Sequence, residues 1–468
     1  MDASVRLVGV VLVLLGLALG LACKPEEFPG ARKRLRGEST PAGGSSLESS
    51  APSETEGDPV APAIEPGADA TSAEPEGAAA TSTAVAATAA PRSPAVRGLW
   101  VLAEGSVRVL DDPARVAPLL DRAGRLGVTD LFVQVYRGGR AFYPADPAFE
   151  RAPEVGRFAV DPLALLIQDA HARGMRVHAW VNVLSLSTRR DAKLLADLGR
   201  EVILVDRRGR SLLDYPEFDL PQPDRQFYRM GTPGLYLDPA VPSVRQRILA
   251  TFGDLVERYP DLDGLHLDYI RHPDLLPFIP GSRFGVGLDF GYGAIARARY
   301  RAETGRADPI EGAAPGVVRD AEAWDEWKRA QVTTLVEEIR ATTQAIHPGL
   351  TLSAAVISHV ERAYLTLAQD WPGWLASGAL DRVIPMVYTR DEPLLRYQLE
   401  GYVGLTGSDR IWPGLGVWLF EAEPARAVAQ LERLRSLPFS GEVLFSDDAI
   451  AQSPGLLEAL AAPAVVSP

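Results

Sequence analysis

Acidic, aromatic and basic side chains recur in this chain directly after short apolar runs. Asp268-Tyr269-Ile270-Arg271-His272 follows Gly264-Leu265-His266-Leu267, and Tyr388-Thr389-Arg390-Asp391 follows Val383-Ile384-Pro385-Met386-Val387. Glu104 trails Leu99-Trp100-Val101-Leu102, and Tyr136-Arg137-Gly138-Gly139-Arg140 trails Phe132-Val133-Gln134-Val135. This inventory suits hydrolysis of a glycosidic bond better than hydride or phosphoryl transfer. The reaction needs one carboxyl group as acid and a second as base or nucleophile. They stand about 5–5.5 Å apart for retention and about 6.5–9.5 Å apart for inversion. Aromatic faces can then stack on sugar rings.

The catalytic candidates are Asp268, Asp391 and Glu104, with Glu421 and Asp447 behind them. Each has a plainer reading. An unpaired buried aspartate is costly, so a salt bridge to Arg271 is the structural alternative for Asp268. Asp391 and Asp447 are also suited to capping a helix or turn. The candidates for binding substrate are Trp180, Arg137, Asn182, His178, Tyr269, Arg271, Tyr388 and Trp418. Tryptophans more often pack in cores. Strand histidines such as His178 and His266 are more often hydrogen-bonded core residues than ligands or bases. The Arg137–Arg140 loop is open to a plain-turn reading.

Something must bring these residues to one place. Eight short runs rich in Val, Ile, Leu and aromatics alternate with helical patterns from residue 96 onward, the pattern of βα units on a parallel sheet. The runs are 97–102, 131–135, 177–182, 264–269, 350–356, 383–388, 411–418 and 441–446. Helices are predicted over 113–126, 162–173, 243–259, 324–347 and 455–461, with Gly174 ending the second as a C′ glycine. Two long insertions interrupt the series, one before and one after the 264–269 strand. The count and span fit an α/β (β/α)8 TIM barrel with insertions, whose active site lies at the C-terminal ends of the strands. A doubly wound open sheet is the competitor. No GxGxxG fingerprint follows any strand, which removes the usual dinucleotide reading.

The first 95 residues differ in kind. Leu7 to Ala22 is an uncharged apolar run of 16 residues preceded by Arg6. It is short for a bilayer span, which takes about 20 residues, and suits a signal-peptide core. The run ends Leu19-Gly20-Leu21-Ala22-Cys23, which resembles the lipobox of bacterial lipoproteins, with Gly20 where that motif usually carries Leu. Lipidation at Cys23, an ordinary signal peptide and an uncleaved anchor all place the rest of the chain outside the cytoplasm. Residues 24–95 are dominated by Ala, Pro, Glu, Ser, Thr and Gly. They bury too little apolar surface to offset chain entropy, so a disordered tether is expected. The domain expectation is 1–23 signal peptide, 24–95 linker and 96–468 barrel.

The net charge of −13 argues against a nucleic-acid partner. One cysteine excludes an internal disulfide, and six histidines without HExxH spacing give no support for a metal site. No cofactor is called for.

The strand motifs resemble the glycosyl-hydrolase-like 10 family of bacterial envelope proteins. The matching stretches are Arg97-Gly98-Leu99-Trp100-Val101, Phe132 through Pro144, Asp161-Pro162-Leu163, Asp169 through Gly174, Val177-His178-Ala179-Trp180, Leu237-Asp238-Pro239 and Pro385-Met386-Val387-Tyr388. Asp263 through Pro273 is the most specific of them. The resemblance covers most of residues 96–450. It implies a barrel hydrolase acting on glycans. Members of the family include lipoproteins that cut peptidoglycan strands stripped of peptides. Asp268 matches the aspartate of the fourth-strand motif. Thr389-Arg390-Asp391 departs from the commoner small-residue continuation, so the second carboxylate does not carry over. The expectation is an exported, membrane-anchored glycoside hydrolase acting on a glycan of the cell wall. Two alternatives stay open, a catalytically inactive glycan-binding scaffold and a hydrolase of an external polysaccharide.

Overall fold

The computed structural model describes residues 96–277, 288–314 and 317–461. The apolar N-terminal run, Cys23 and the 24–95 linker lie outside the described residues.

Eight parallel strands form the centre: β1 (Val96–Val101), β2 (Asp130–Arg137), β3 (Arg176–Asn182), β4 (Gly264–Asp268), β5 (Thr351–Ile357), β6 (Arg382–Val387), β7 (Gly414–Gly416) and β8 (Gly441–Phe445). Each pairs with the next in parallel, and β1 pairs with both β2 and β8, so the sheet closes. Closure excludes the open doubly wound sheet. Eight helices carry the chain back on the outside: α1 (Val116–Arg125), α2 (Pro162–Ala172), α3 (Pro242–Arg258), α4 (Ala321–Ile346), α5 (Trp371–Ser377), α6 (Glu392–Val403), α7 (Pro424–Arg435) and α8 (Pro454–Ala461).

Strand alternation sorts the side chains. Leu99 and Val101 of β1, Val177, Ala179 and Val181 of β3, and Leu265 and Leu267 of β4 join the apolar layer under the helices. The residues between them point inward. Trp100, Phe132, Trp180, Ala355, Ile384, Trp412 and Val443 form a separate interior cluster. Across that interior the Trp100 indole N–H donates to His266 Nε2 at 3.0 Å, and His266 Nδ1 meets Ser353 Oγ at 2.9 Å. Burial pushes the His266 pKa well below 6.5. The imidazole is therefore neutral, with its proton on Nδ1 toward Ser353. Gly414 is required where the Trp100 ring passes, since a Cβ there would stand 2.5 Å from it.

The strand expectations hold to within a residue or two except in the seventh, which is three residues long instead of eight. Pro413 lacks the N–H that a ladder needs, and Val417–Phe420 turns into a 3-10 helix. Gly174 ends α2 as expected, with φ 75° and the Met175 N–H donating to Ala170 O at 2.9 Å.

The two insertions meet each other. Tyr228–Met230 from the first pairs antiparallel with Leu275–Pro277 from the second. Asp274, just before that ribbon, forms an ion pair with Arg362 from the β5–α5 connection.

Candidate active site

Alternation along β4 fixes the position of Asp268. Leu265 and Leu267 face the helices, so His266 and Asp268 face the axis, and Asp268 is the last residue of the strand. It lies beside Asn182, the last residue of β3, in the ladder. The carboxyl group is buried, with 6% of the residue exposed. Its Oδ2 accepts the Trp180 indole N–H at 3.1 Å, and its Oδ1 accepts the Tyr269 backbone N–H at 2.7 Å. Tyr269 adopts a left-handed φ of 52° directly after the strand, a backbone state that costs a bulky residue energy and clusters at functional sites.

The anticipated Asp268–Arg271 salt bridge does not form. Arg271 lies over the Tyr269 ring at 5.0 Å, and its Nη1 donates to the His272 carbonyl at 3.1 Å. Burial pushes Asp268 up to about 6, opposed by the charge of Arg271, the Tyr269 and Trp180 N–H donors and the charge of Arg137. Loss of hydration outweighs two donors and two cations, which leaves a carboxyl that can hold a proton near neutral pH.

Arg137, whose charge favours the ionised form of Asp268, is paired with a second carboxylate. Its Nε lies 3.2 Å from Glu104 Oε2, and Arg140 Nη1 lies 3.9 Å from Glu104 Oε1. Glu104 is 38% exposed on the side chain. Its loop is held by Asp448, whose Oδ1 accepts the Ser106 hydroxyl at 2.9 Å and the Val107 N–H at 2.8 Å. Gly105 allows that approach, because a Cβ there would fall 2.1 Å from Asp448 Oδ1.

The other expected residues divide. Asn182 is buried at the mouth, and its Oδ1 accepts from Gln134 Nε2 at 3.1 Å. Tyr388 is half-buried there, with its ring 5.4 Å from Phe445. Burial and the nearby Asp268 hold its phenol well above 10. Trp418 is half-buried beside it, and a Cβ on Gly416 would stand 3.1 Å from both rings. Trp180 offers no open face as a sugar platform, because it is buried in the barrel interior and reaches the site only through its N–H.

Three expectations are corrected by position. His178 enters β3 too early to reach the mouth. It is buried near the opposite end, where its Nε2 meets Asp130 Oδ1 at 2.9 Å and its ring stacks on Phe132 at 4.8 Å. Asp391 is exposed and caps α6, accepting the Leu394 N–H at 2.7 Å. Asp447 is buried under two hydrogen bonds from Arg122, at 2.9 and 2.7 Å. Sequence reasoning missed Gln134, which accepts the Ala103 N–H at 3.3 Å and steadies Asn182. A lone amide on the inward register of an apolar strand was the available signal. Among the described residues no group of three or more His, Cys, Asp or Glu is placed to hold a metal.

With this geometry in place, a family model described as Glycosyl hydrolase-like 10 matches residues 95–400. The chain belongs to that family. Its relatives include the glycosyl hydrolase DigH of Escherichia coli (strain K12), 24% identical over 58% of this chain and 56% of that protein. The glycosyl hydrolase YngK of Bacillus subtilis (strain 168) is 25% identical over 58% of this chain and 48% of that protein. The chain thus matches about half the length of these relatives. The fold is similar to that of the GH42 β-galactosidase Gan42B from G. stearothermophilus, with a TM-score of 0.52 at 11% identity over 78% of this chain and 56% of that one. This glycosyl hydrolase-like 10 chain therefore shares the (β/α)8 barrel fold of Gan42B.

Proposed function

We propose that this protein is an exported glycoside hydrolase that cleaves a cell-envelope glycan, the glycan strands of peptidoglycan. The observation that carries the reading is the Asp268 carboxyl: inward, buried at the C-terminal end of β4, fixed by two N–H donors and free of any ion pair to Arg271. A carboxyl with its proton retained to about pH 6 is matched to protonating a leaving-group oxygen. Asp268 is then the general acid. Glu104, across Arg137, is the partner carboxylate that activates water or attacks the anomeric carbon. Tyr388 and Trp418 supply aromatic surface for the sugar. The named functions of DigH and YngK support a hydrolase. The run Leu7 to Ala22 followed by Cys23 supports export and a lipid anchor.

The test is glycan release from purified peptidoglycan strands by the wild type, Asp268→Asn and Glu104→Gln, each checked for folding by circular dichroism. The wild type should release products, and each variant should lose about 10³-fold or more in kcat. Tight binding without products from the wild type would favour the inactive scaffold. Release by Asp268→Asn at the wild-type rate would remove Asp268 from the mechanism.

A further inference from the structure

Guanidinium groups in this molecule are mostly well partnered. Arg340 grips Asp381 with two bonds of 3.1 Å, and Arg435 grips Glu442 at 3.0 and 2.6 Å. Arg245, 8% exposed, donates to Glu338, Pro239 O and Gln331 O. Among the described residues Arg108, Arg137, Arg271 and Arg382 depart from that pattern in keeping a buried Nε without an acceptor, and Arg137 and Arg271 belong to the candidate site. Arg271 is more deeply buried, at 4% exposure, yet makes one hydrogen bond, and its buried Nε has no partner. Arg137 has its Nε near Glu104 but misaligned, so that this buried N–H also goes without a hydrogen-bond acceptor. The charge of Asp274 acts on Arg271, but its carboxylate makes no hydrogen bond to that guanidinium and its Oδ1 is held by Arg362. A buried donor left unmet costs free energy, more so when charged. Arg271 lies over the ring of Tyr269, the residue next to Asp268, and Arg137 stands against Glu104, so each of the two candidate carboxyl groups has an under-partnered guanidinium close by.

We propose that Arg137 and Arg271 form a subsite for a carboxylate carried by the substrate, so that the mouth selects an acidic sugar over its neutral counterpart. The inference rests on the glycan reading of the same site. A planar guanidinium fork matches a carboxylate in two parallel hydrogen bonds. In peptide-free peptidoglycan strands the lactyl ether on alternate sugars supplies such a group.

The full chain should be titrated with peptide-free glycan strands and with the same strands after chemical reduction of their carboxyl groups to alcohols, reading Kd by calorimetry and product release in parallel. Native strands are expected to bind about tenfold or more tightly than reduced ones. Arg137→Gln, a half-buried position that can be changed without opening the core, should bring that ratio close to one. Arg137→Lys should recover only part of it, since it keeps the charge and loses the fork. Equal affinity of the wild type for both strands, no measurable binding of either, or a ratio unchanged in Arg137→Gln would each overturn the subsite. Hydrolysis of both strands at equal affinity would leave the hydrolase reading standing. A preserved preference without hydrolysis would keep the subsite and sink the hydrolase.

Discussion

Asp268 and Asp391 both follow an apolar strand that ends in an aromatic-rich turn, and their fates differ for local reasons. Asp268 ends its strand on the inward register, where water is excluded and the carboxyl is pushed up to about 6. Asp391 stands four residues past the end of β6, where the next residues begin α6 and the side chain caps them. Replacing Asp391 with Ala should lower stability by about 1 kcal/mol, the usual cost of an N-cap. It should leave kcat/KM within about threefold of the wild type if the residue stands outside catalysis. Urea titration and initial rates would check both halves. The candidate acid was legible from the alternation of β4 alone. The second carboxylate was not, because Glu104 depends on Gly105, Asp448 and Arg137, which converge from three segments far apart in sequence. His178 misled for a related reason: a polar residue within a strand gives no sign of its depth until the register with Phe132 and Gly264 is known.

At the scale of elements, two devices close the barrel. Gly414 makes room for Trp100 in the interior. Gly414→Ala should overpack that layer and lower stability by about 1–3 kcal/mol, seen as a lower Tm. The second device joins α1 to the start of the short helix Asp447–Gln452 after β8, where Arg122 neutralises the fully buried Asp447. Arg122→Ala leaves that carboxylate without its cation, at a cost of about 3 kcal/mol at neutral pH. Burial already raises the Asp447 pKa in the presence of Arg122. Losing the arginine raises it further, so the penalty should shrink as the pH falls and Asp447 takes up a proton. A penalty independent of pH would contradict the pairing. Most barrel elements were legible because each follows a single periodicity, two for strands and 3.6 for helices. Beyond the predicted 243–259 helix, the insertions were not. Their short helices, Lys193–Leu198 and Ala294–Thr304, are held by long-range contacts such as Lys193 N–H to Glu150 and Arg297 to Asp308, which no local pattern encodes.

For the molecule as a whole, the described barrel carries the candidate site, and the proposed export and anchoring rest on residues 1–95. If Cys23 bears lipid, Cys23→Ser should move the protein from the membrane fraction to the soluble fraction, with kcat/KM unchanged; unchanged membrane association would point to an uncleaved anchor. The central claim concerns the proton on Asp268, and its most direct test is the pH dependence of kcat/KM on a soluble glycan substrate for the wild type and Trp180→Phe. A general acid works only while protonated. Activity should therefore fall as the pH rises through about 6. Trp180→Phe removes a donor that favours the ionised form, so it should move this limb to higher pH, by roughly half a unit to one unit. A wild-type profile that stays flat from pH 5 to 8, or a falling limb that does not move in Trp180→Phe, would contradict the assignment of Asp268 as the acid.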